Sequence, residues 1–243
     1  MTDLAPPGQV SRPTQGPLTF SCAVNTLTLI ISGMGPRKAM DAAQAALNGA
    51  RDQARVEGTG ADKAEAVLVI GLCGGLAESL SEGRIVAYTS CLSTDPAKKQ
   101  IATDQQITNR IIETLASSNI PCAKVAGLTS PQIATNREHR RRLAQTGAAA
   151  VDMETYAVLS GAARAGVPAA VLRVVSDSLD RELPDLNRAL NDDGALDGRK
   201  ALAVAIGSPL RTLRLLAANK RAMKNLSDAL RIVLPSDCFS FSG

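Results

Sequence analysis

Carboxylates stand at the ends of two apolar runs in this chain of 243 residues. The first run, "AAVDMETYAV" (149–158), holds Asp152, Met153 and Glu154; the second, "AAVLRVVSDS" (169–178), ends in Ser176 and Asp177. A lone carboxylate is costly to bury. Partial burial favours the protonated form of a carboxyl group, which would suit Asp177 to general-acid work. A helix cap is the plainer reading of the same residue. An ionised Glu154 accepts several hydrogen bonds, enough for two vicinal hydroxyls, or it complements the dipole of a helix that begins there. Glycines form a third group. Gly33 and Gly35 bracket Met34 just before Pro36, and "GLCGG" (71–75) ends another apolar run. Backbone N–H groups at such places can approach an anion closely, and a helix opening at Pro36 would favour phosphate or carboxylate. A plain turn is the competing reading.

These groups need a scaffold. "TFSCAVNTLTLIISG" reads as two short strands about a turn near Asn25, and Pro36 opens an Ala-rich helix. "AEAVLVIGLCGG", "GRIVAYTSC", "PCAKVAGLTS", "AAAVDM" and "AAVLRVVSDS" read as strands. Helices fall at "DQQITNRIIETLASS", "NREHRRRLAQT" and "ETYAVLSGAARAG", and a long one runs from about Ser208 to Val233. Strands alternating with helices point to one α/β domain over 20–243, its sheet covered on both faces. Residues 1–19, rich in Pro, Gly, Ser and Thr, read as a loose leader.

Composition narrows the function. Aromatics are 2% of the chain and the formal charge is only +4, which argues against a nucleic-acid partner. The five cysteines form no CxxC pair and His139 is the single histidine, so no metal site is expected. No run approaches the roughly 20 apolar residues of a membrane span, and a reducing, cytoplasmic setting is expected. Arg137, Arg140, Arg141 and Arg142 read as a solvated basic face, with a phosphate or subunit contact as the sharper alternative. His139 reads as a surface residue. The last helix carries Leu213, Leu216, Leu226, Leu230 and Val233 among Arg211, Arg214, Lys220, Arg221, Lys224 and Arg231. Packing on the domain is the default for it, and peripheral contact with an anionic membrane is the alternative.

Taken together, the motifs carry a family likeness. "VDMETYAV" (151–158) with "VPAAVLRVVSDSLD" (167–180) resembles the signature of the purine nucleoside phosphorylase and methylthioadenosine nucleosidase superfamily. "GLCGGLAESLSEGRIV" (71–86) resembles that family's Gly-rich strand, and "ISGMGPRKA" (31–39) its first glycine loop. Residues 148–184 and 193–222 resemble its hopanoid-associated phosphorylase branch, which is linked to removing adenine from adenosylhopane.

The likeness implies a single-domain, three-layer α/β/α fold about a central mixed, twisted sheet, and a homo-oligomer. It implies cleavage of a purine N-glycosidic bond with phosphate as co-substrate and no metal or organic cofactor. By the same likeness Asp177 protonates or hydrogen-bonds the leaving purine and Ser176 orients it. Glu154 grips the ribose, Met153 packs on the sugar, and Asp152 stands where the family often has Glu. Gly33, Gly35 and the Cys73–Gly74 backbone line the phosphate or sugar. Gln132 and Ile133, in "TSPQIATN", stand where an aromatic often stacks on the base. The chain departs from the family at its first strand, whose water-activating acid has no counterpart before Thr19, and at Leu72, where phosphate-binding members often carry a hydroxyl. The first departure favours phosphorolysis over hydrolysis. A hydrolytic nucleosidase and an inactive nucleoside-binding relative stay open.

Overall fold

The computed structural model describes residues 18–22, 25–31, 35, 37–45, 47, 64–192, 194 and 196–239. β1 (Leu18–Cys22) and β2 (Asn25–Leu29) pair antiparallel as a separate two-stranded sheet, with Cys22 opposite Asn25. Leu18 and Thr19 thus belong to a strand, while the rest of the expected leader lies outside the described residues. Residues 37–45 form helix α1.

The main sheet holds β3 (Val67–Gly75), β4 (Ile85–Ser93), β5 (Ile101–Ala102), β6 (Cys122–Thr129), β7 (Ala150–Asp152) and β8 (Ala169–Asp177). Their order is β5-β4-β6-β7-β3-β8, and β4 also pairs with β8. The sheet therefore closes on itself through β4, β6, β7, β3 and β8. It is mixed: β3/β8, β4/β6 and β6/β7 run parallel, while β3/β7, β4/β5 and β4/β8 run antiparallel. β8 is buried at every residue, which explains its unbroken apolar run. β6 passes close over the Tyr88 ring, which fills the space a Cβ at Gly127 would need.

Helices cover both faces. On one side lie α2 (Gln105–Ser117) and α6 (Pro209–Val233). Asp104 caps α2 by accepting the Ile107 N–H, and Pro209 opens α6. Ile107, Ile111 and Leu115 meet Leu226, Ala229 and Val233 over Ile85, Leu172 and Val174. On the other side α4 (Thr155–Ala165) packs Leu159 and Ala162 against Val69, Val86, Tyr88 and Val175. Gly166, left-handed at φ 67°, stops α4. α3 (Arg137–Ala144) seats Leu143 on Leu76, Leu128 and Val151.

The sequence reading holds for these elements and misses two. β5 is only two residues long. α5 (Gly198–Gly207) buries no residue and starts on the Asp197 cap. No strand of the main sheet comes from before Val67 among the described residues.

Candidate active site

A bulge sets Asp177. The β3–β8 register runs from Cys73 opposite Val175 straight to Gly74 opposite Asp177, leaving Ser176 as the extra residue. Such a bulge re-aims the chain beyond it. The Ser176 hydroxyl donates to Asp177 Oδ1 at 2.5 Å, and its oxygen lies 3.1 Å from the Cys73 carbonyl. Asp177 Oδ2 faces the Arg140 guanidinium at 2.5 Å, and both side chains are buried. Arg140 also donates through Nη1 to the Asp177 and Ser178 carbonyls and through Nε to the Ala134 carbonyl. Arg140 is thus no part of a solvated basic face: at 1% exposure it is the largest fully buried side chain of the molecule's described residues. Helical spacing turns it inward with Leu143 while Arg137, Arg141 and Arg142 stay in solvent. His139, beside it, is half-buried; burial, then Arg142 and Arg140, lower its pKa.

A second guanidinium lies under the other carboxylates. Arg173, on β8, donates to the Thr155 hydroxyl at 2.7 Å and the Leu72 carbonyl at 3.3 Å. It lies 3.6 Å from Asp152 and 3.9 Å from Glu154. Burial opposes its charge, yet Asp152, Tyr88 and Glu154 together hold its pKa above the ordinary value. The glycines of "GLCGG" make room for this machinery. A Cβ at Gly71 would collide with the Arg173 guanidinium, and one at Gly74 would lie 2.9 Å from Asp177 Oδ2.

Asp152 is a brace. Its Oδ1 accepts from the Thr129 hydroxyl and from the N–H groups of Glu154 and Thr155, and its Oδ2 accepts from the Thr155 hydroxyl. All four of these bonds tie its carboxylate to β6 and to the turn into α4. Glu154 is more open, its side chain 19% exposed. Its Oε1 accepts the Gly35 N–H at 3.1 Å, which ties the glycine loop to the site. Gly35, at φ 108°, is buried, and its amide is engaged by this carboxylate rather than free for phosphate. Gly33 lies outside the described residues. Met153 is buried beside Glu154. Burial raises the Cys73 thiol and pushes Cys91 up to about 12, so neither is a nucleophile at neutral pH.

These parts share one rim. Val151, Gly74 and Asp177 sit side by side on β7, β3 and β8, and Thr129 on β6 faces Asp152. The loop 130–135 is fastened over the Asp177 end by Arg140 and by the Leu183 N–H on the Thr135 carbonyl. Within it, Ile133 presents N–H and C=O together, and both are paired at 2.9 Å by the Asn187 carboxamide. A cavity of about 390 Å³ opens beyond, lined by Arg37, Gln132, Asn187, Leu190 and Asp192 among others. No cluster of His, Cys, Asp or Glu able to hold a metal ion occurs among the described residues.

The family model described as the phosphorylase superfamily matches residues 8–205. The chain belongs to the phosphorylase superfamily. Solved structures with the same fold include an S-adenosylhomocysteine nucleosidase from Streptococcus pyogenes in complex with 5-methylthiotubericidin. It is 16% identical at a TM-score of 0.66, over 90% of this chain and 83% of that one. The 5'-methylthioadenosine/S-adenosylhomocysteine nucleosidase of Neisseria meningitidis, in complex with methylthio-immucillin-A, also aligns at 0.66 and 16%, over 93% and 88%. Futalosine hydrolase of Helicobacter pylori aligns at 0.64 and 15%, over 92% and 86%. No curated protein matches the chain by sequence.

Sequence reasoning singled out the carboxylates of this superfamily member that lie at the rim and missed the burial of both arginines. Arg173 could have been found, as a lone charge inside a buried strand demands a carboxylate partner. Nothing in "REHRRRL" marks Arg140 apart from its neighbours.

Removing one partner of a buried pair leaves the other charge stranded. Arg140→Met should lower unfolding free energy by about 3–5 kcal/mol, and adding Asp177→Asn should recover much of the loss in urea titrations. A loss under about 1 kcal/mol, the scale of a surface pair, would refute the buried pairing. Glu154 gives a pH test. Burial raises its pKa above 4.5, against the pull of Arg173 and the Gly35 N–H. A carboxyl raised by folding stabilises the fold fully below its unfolded pKa, and that contribution is lost as pH rises through the folded value. Glu154→Gln should therefore gain on wild type as pH rises above 4.5; a difference independent of pH speaks against it.

Proposed function

We propose that the protein cleaves the N-glycosidic bond of an adenosine-type nucleoside. The observation that carries this reading is the side-by-side pairing of Val151, Gly74 and Asp177, which gathers Glu154 and Asp177 at one rim. Glu154 is the acceptor for the ribose hydroxyls, with Met153 beneath the sugar. Asp177 serves the base. It already accepts from Ser176 and Arg140, so it acts here by accepting the N–H of a purine that takes its proton from water, and its charge favours that protonated base over the neutral one. Bond breaking moves electrons onto the purine and leaves positive charge on the ribosyl carbon. Ile133 supports adenine as that base. Its N–H and C=O complement an acceptor nitrogen beside an amino group, the edge that the Asn187 carboxamide now imitates.

For the nucleophile we take phosphate, with an adenosylhopane-like substrate, on the likeness to the hopanoid-associated branch and on the missing water-activating acid. Hydrolysis is the second reading. It is favoured by the Gly35 amide, which is engaged by Glu154, and by the nucleosidases and the hydrolase that share the fold.

The test is adenine release from adenosine and from an adenosylhopane analogue, with and without phosphate. Phosphate-dependent release should fall by about 10²-fold or more in Asp177→Ala, the scale of one preorganised electrostatic partner lost. Release that ignores phosphate makes the enzyme a hydrolase. No release by the folded protein from either nucleoside overturns the enzymatic reading in favour of a binding relative.

A further inference from the structure

Exposed apolar surface is concentrated in one place. Leu202 and Ile206 on α5 and Leu210, Leu213, Leu216 and Met223 on α6 are each 51–71% exposed. Among the described residues only Leu29 and Ile31 are also large, apolar and exposed. α6 buries Ala218, Ala222, Leu226, Ala229 and Val233 against the domain. At about 3.6 residues per turn, Leu213 falls opposite that stripe, and Leu216 and Met223 lie on its flank. The helix thus has two apolar faces, one packed and one in water, and packing on the domain accounts for only the first.

The charge around that second face is one-sided. Residues 198–227 contain no Asp or Glu, yet they carry Arg199, Lys200, Arg211, Arg214, Lys220, Arg221 and Lys224. Arg211, Arg221 and Lys224 reach acids elsewhere, Glu182, Glu82 and Asp228. Arg199, Lys200, Arg214 and Lys220 are exposed and make no ion pair among the described residues. α5 and α6 are bent by 116° about Ser208, and no single helix among the described residues is long and apolar enough to cross a membrane. Next to Met223 a groove of about 440 Å³, lined by Ile70, Leu226, Leu230, Leu234 and Pro235, continues the apolar surface.

A second copy on this face in two-fold fashion would lay cations on cations. An anionic bilayer complements both features at once. Leucines sink to the acyl boundary while lysine and arginine stems reach back to the headgroup phosphates. We propose that α5 and the N-terminal half of α6 dock the protein on the surface of an anionic lipid bilayer, lying in the interface rather than spanning it. The inference is independent of which nucleophile the active site uses.

The experiment is co-sedimentation of the full chain with phosphatidylcholine vesicles and with vesicles partly replaced by phosphatidylglycerol, at low and high salt. Sedimentation velocity of the vesicle-free protein runs beside it. The expected result is at least about tenfold stronger partition onto the anionic vesicles, since each surface cation strengthens binding severalfold, and weakening in salt. Leu213→Gln with Leu216→Gln should abolish the partition, and Arg214→Glu with Lys220→Glu should remove its anionic preference. Both pairs are exposed, so melting temperature and adenine release should stay at wild-type values. No binding to either vesicle at low salt overturns the proposal. So does equal binding to both vesicles, or leucine variants that dissociate an oligomer without changing partition, which would make the face a contact between copies.

Discussion

Two buried guanidiniums govern the arrangement of this molecule. A charge in the interior must be met by an opposite charge and its remaining hydrogen bonds satisfied, or it costs several kcal/mol. Arg173 sits in a strand buried along its whole length, and the chain around it meets its charge, though its Nε finds no hydrogen-bond partner. Asp152 and Glu154 approach from the turn into α4, Thr155 supplies a hydroxyl, and Gly71 leaves space for the guanidinium. Arg140 imposes the same demand from outside the sheet. It draws the end of β8, the loop after β6 and the start of α3 onto one point, with Asp177 at its centre. The closed sheet is what brings these points within reach of each other.

The same pairs shape the chemistry. A carboxylate held by an arginine is a fixed acceptor with a set direction, and it does not need to reorganise as charge develops on a ligand. Asp177 is such a group. Glu154 differs: it is partly open, its burial opposes its charge, and it accepts the Gly35 amide, a bond that ribose hydroxyls replace on the proposed reading. The rim thus has a stiff end and an adaptable end. On the proposed reading, a leaving base and a sugar ask for that division.

Much of this was legible in the sequence, and what was not had physical reasons. The strand ends at Asp152 and Asp177 and the helix caps at Asn136, Asp104 and Gly166 follow from local pattern. The closure of the sheet does not, because β4 meets β8 through only three antiparallel residue pairs between strands far apart in the chain. Asp152 and Glu154 look alike in "DMET", and only the hydrogen-bond inventory separates the brace from the open acceptor. The glycines of "GLCGG" read as an anion loop in the sequence; that Gly71 and Gly74 leave room for Arg173 and Asp177 is visible only in the fold. Arg140 was hidden by company, since burial of one arginine among four depends on what the helix faces. The basic, leucine-rich C-terminal helix was plain to read, but its two apolar faces could be told apart only once one of them was packed.

On the proposed reading Glu154 and Asp177 serve one ligand. The most direct measurement is a crystal structure of the protein with a carbon-linked adenosine analogue, which cannot be cleaved, and phosphate. The account places the ribose hydroxyls on Glu154 with the Gly35 amide released, and the base between Asp177 and the Ile133 backbone with Asn187 displaced. An analogue bound with either carboxylate untouched, or seated away from the ends of β3, β7 and β8, would contradict it.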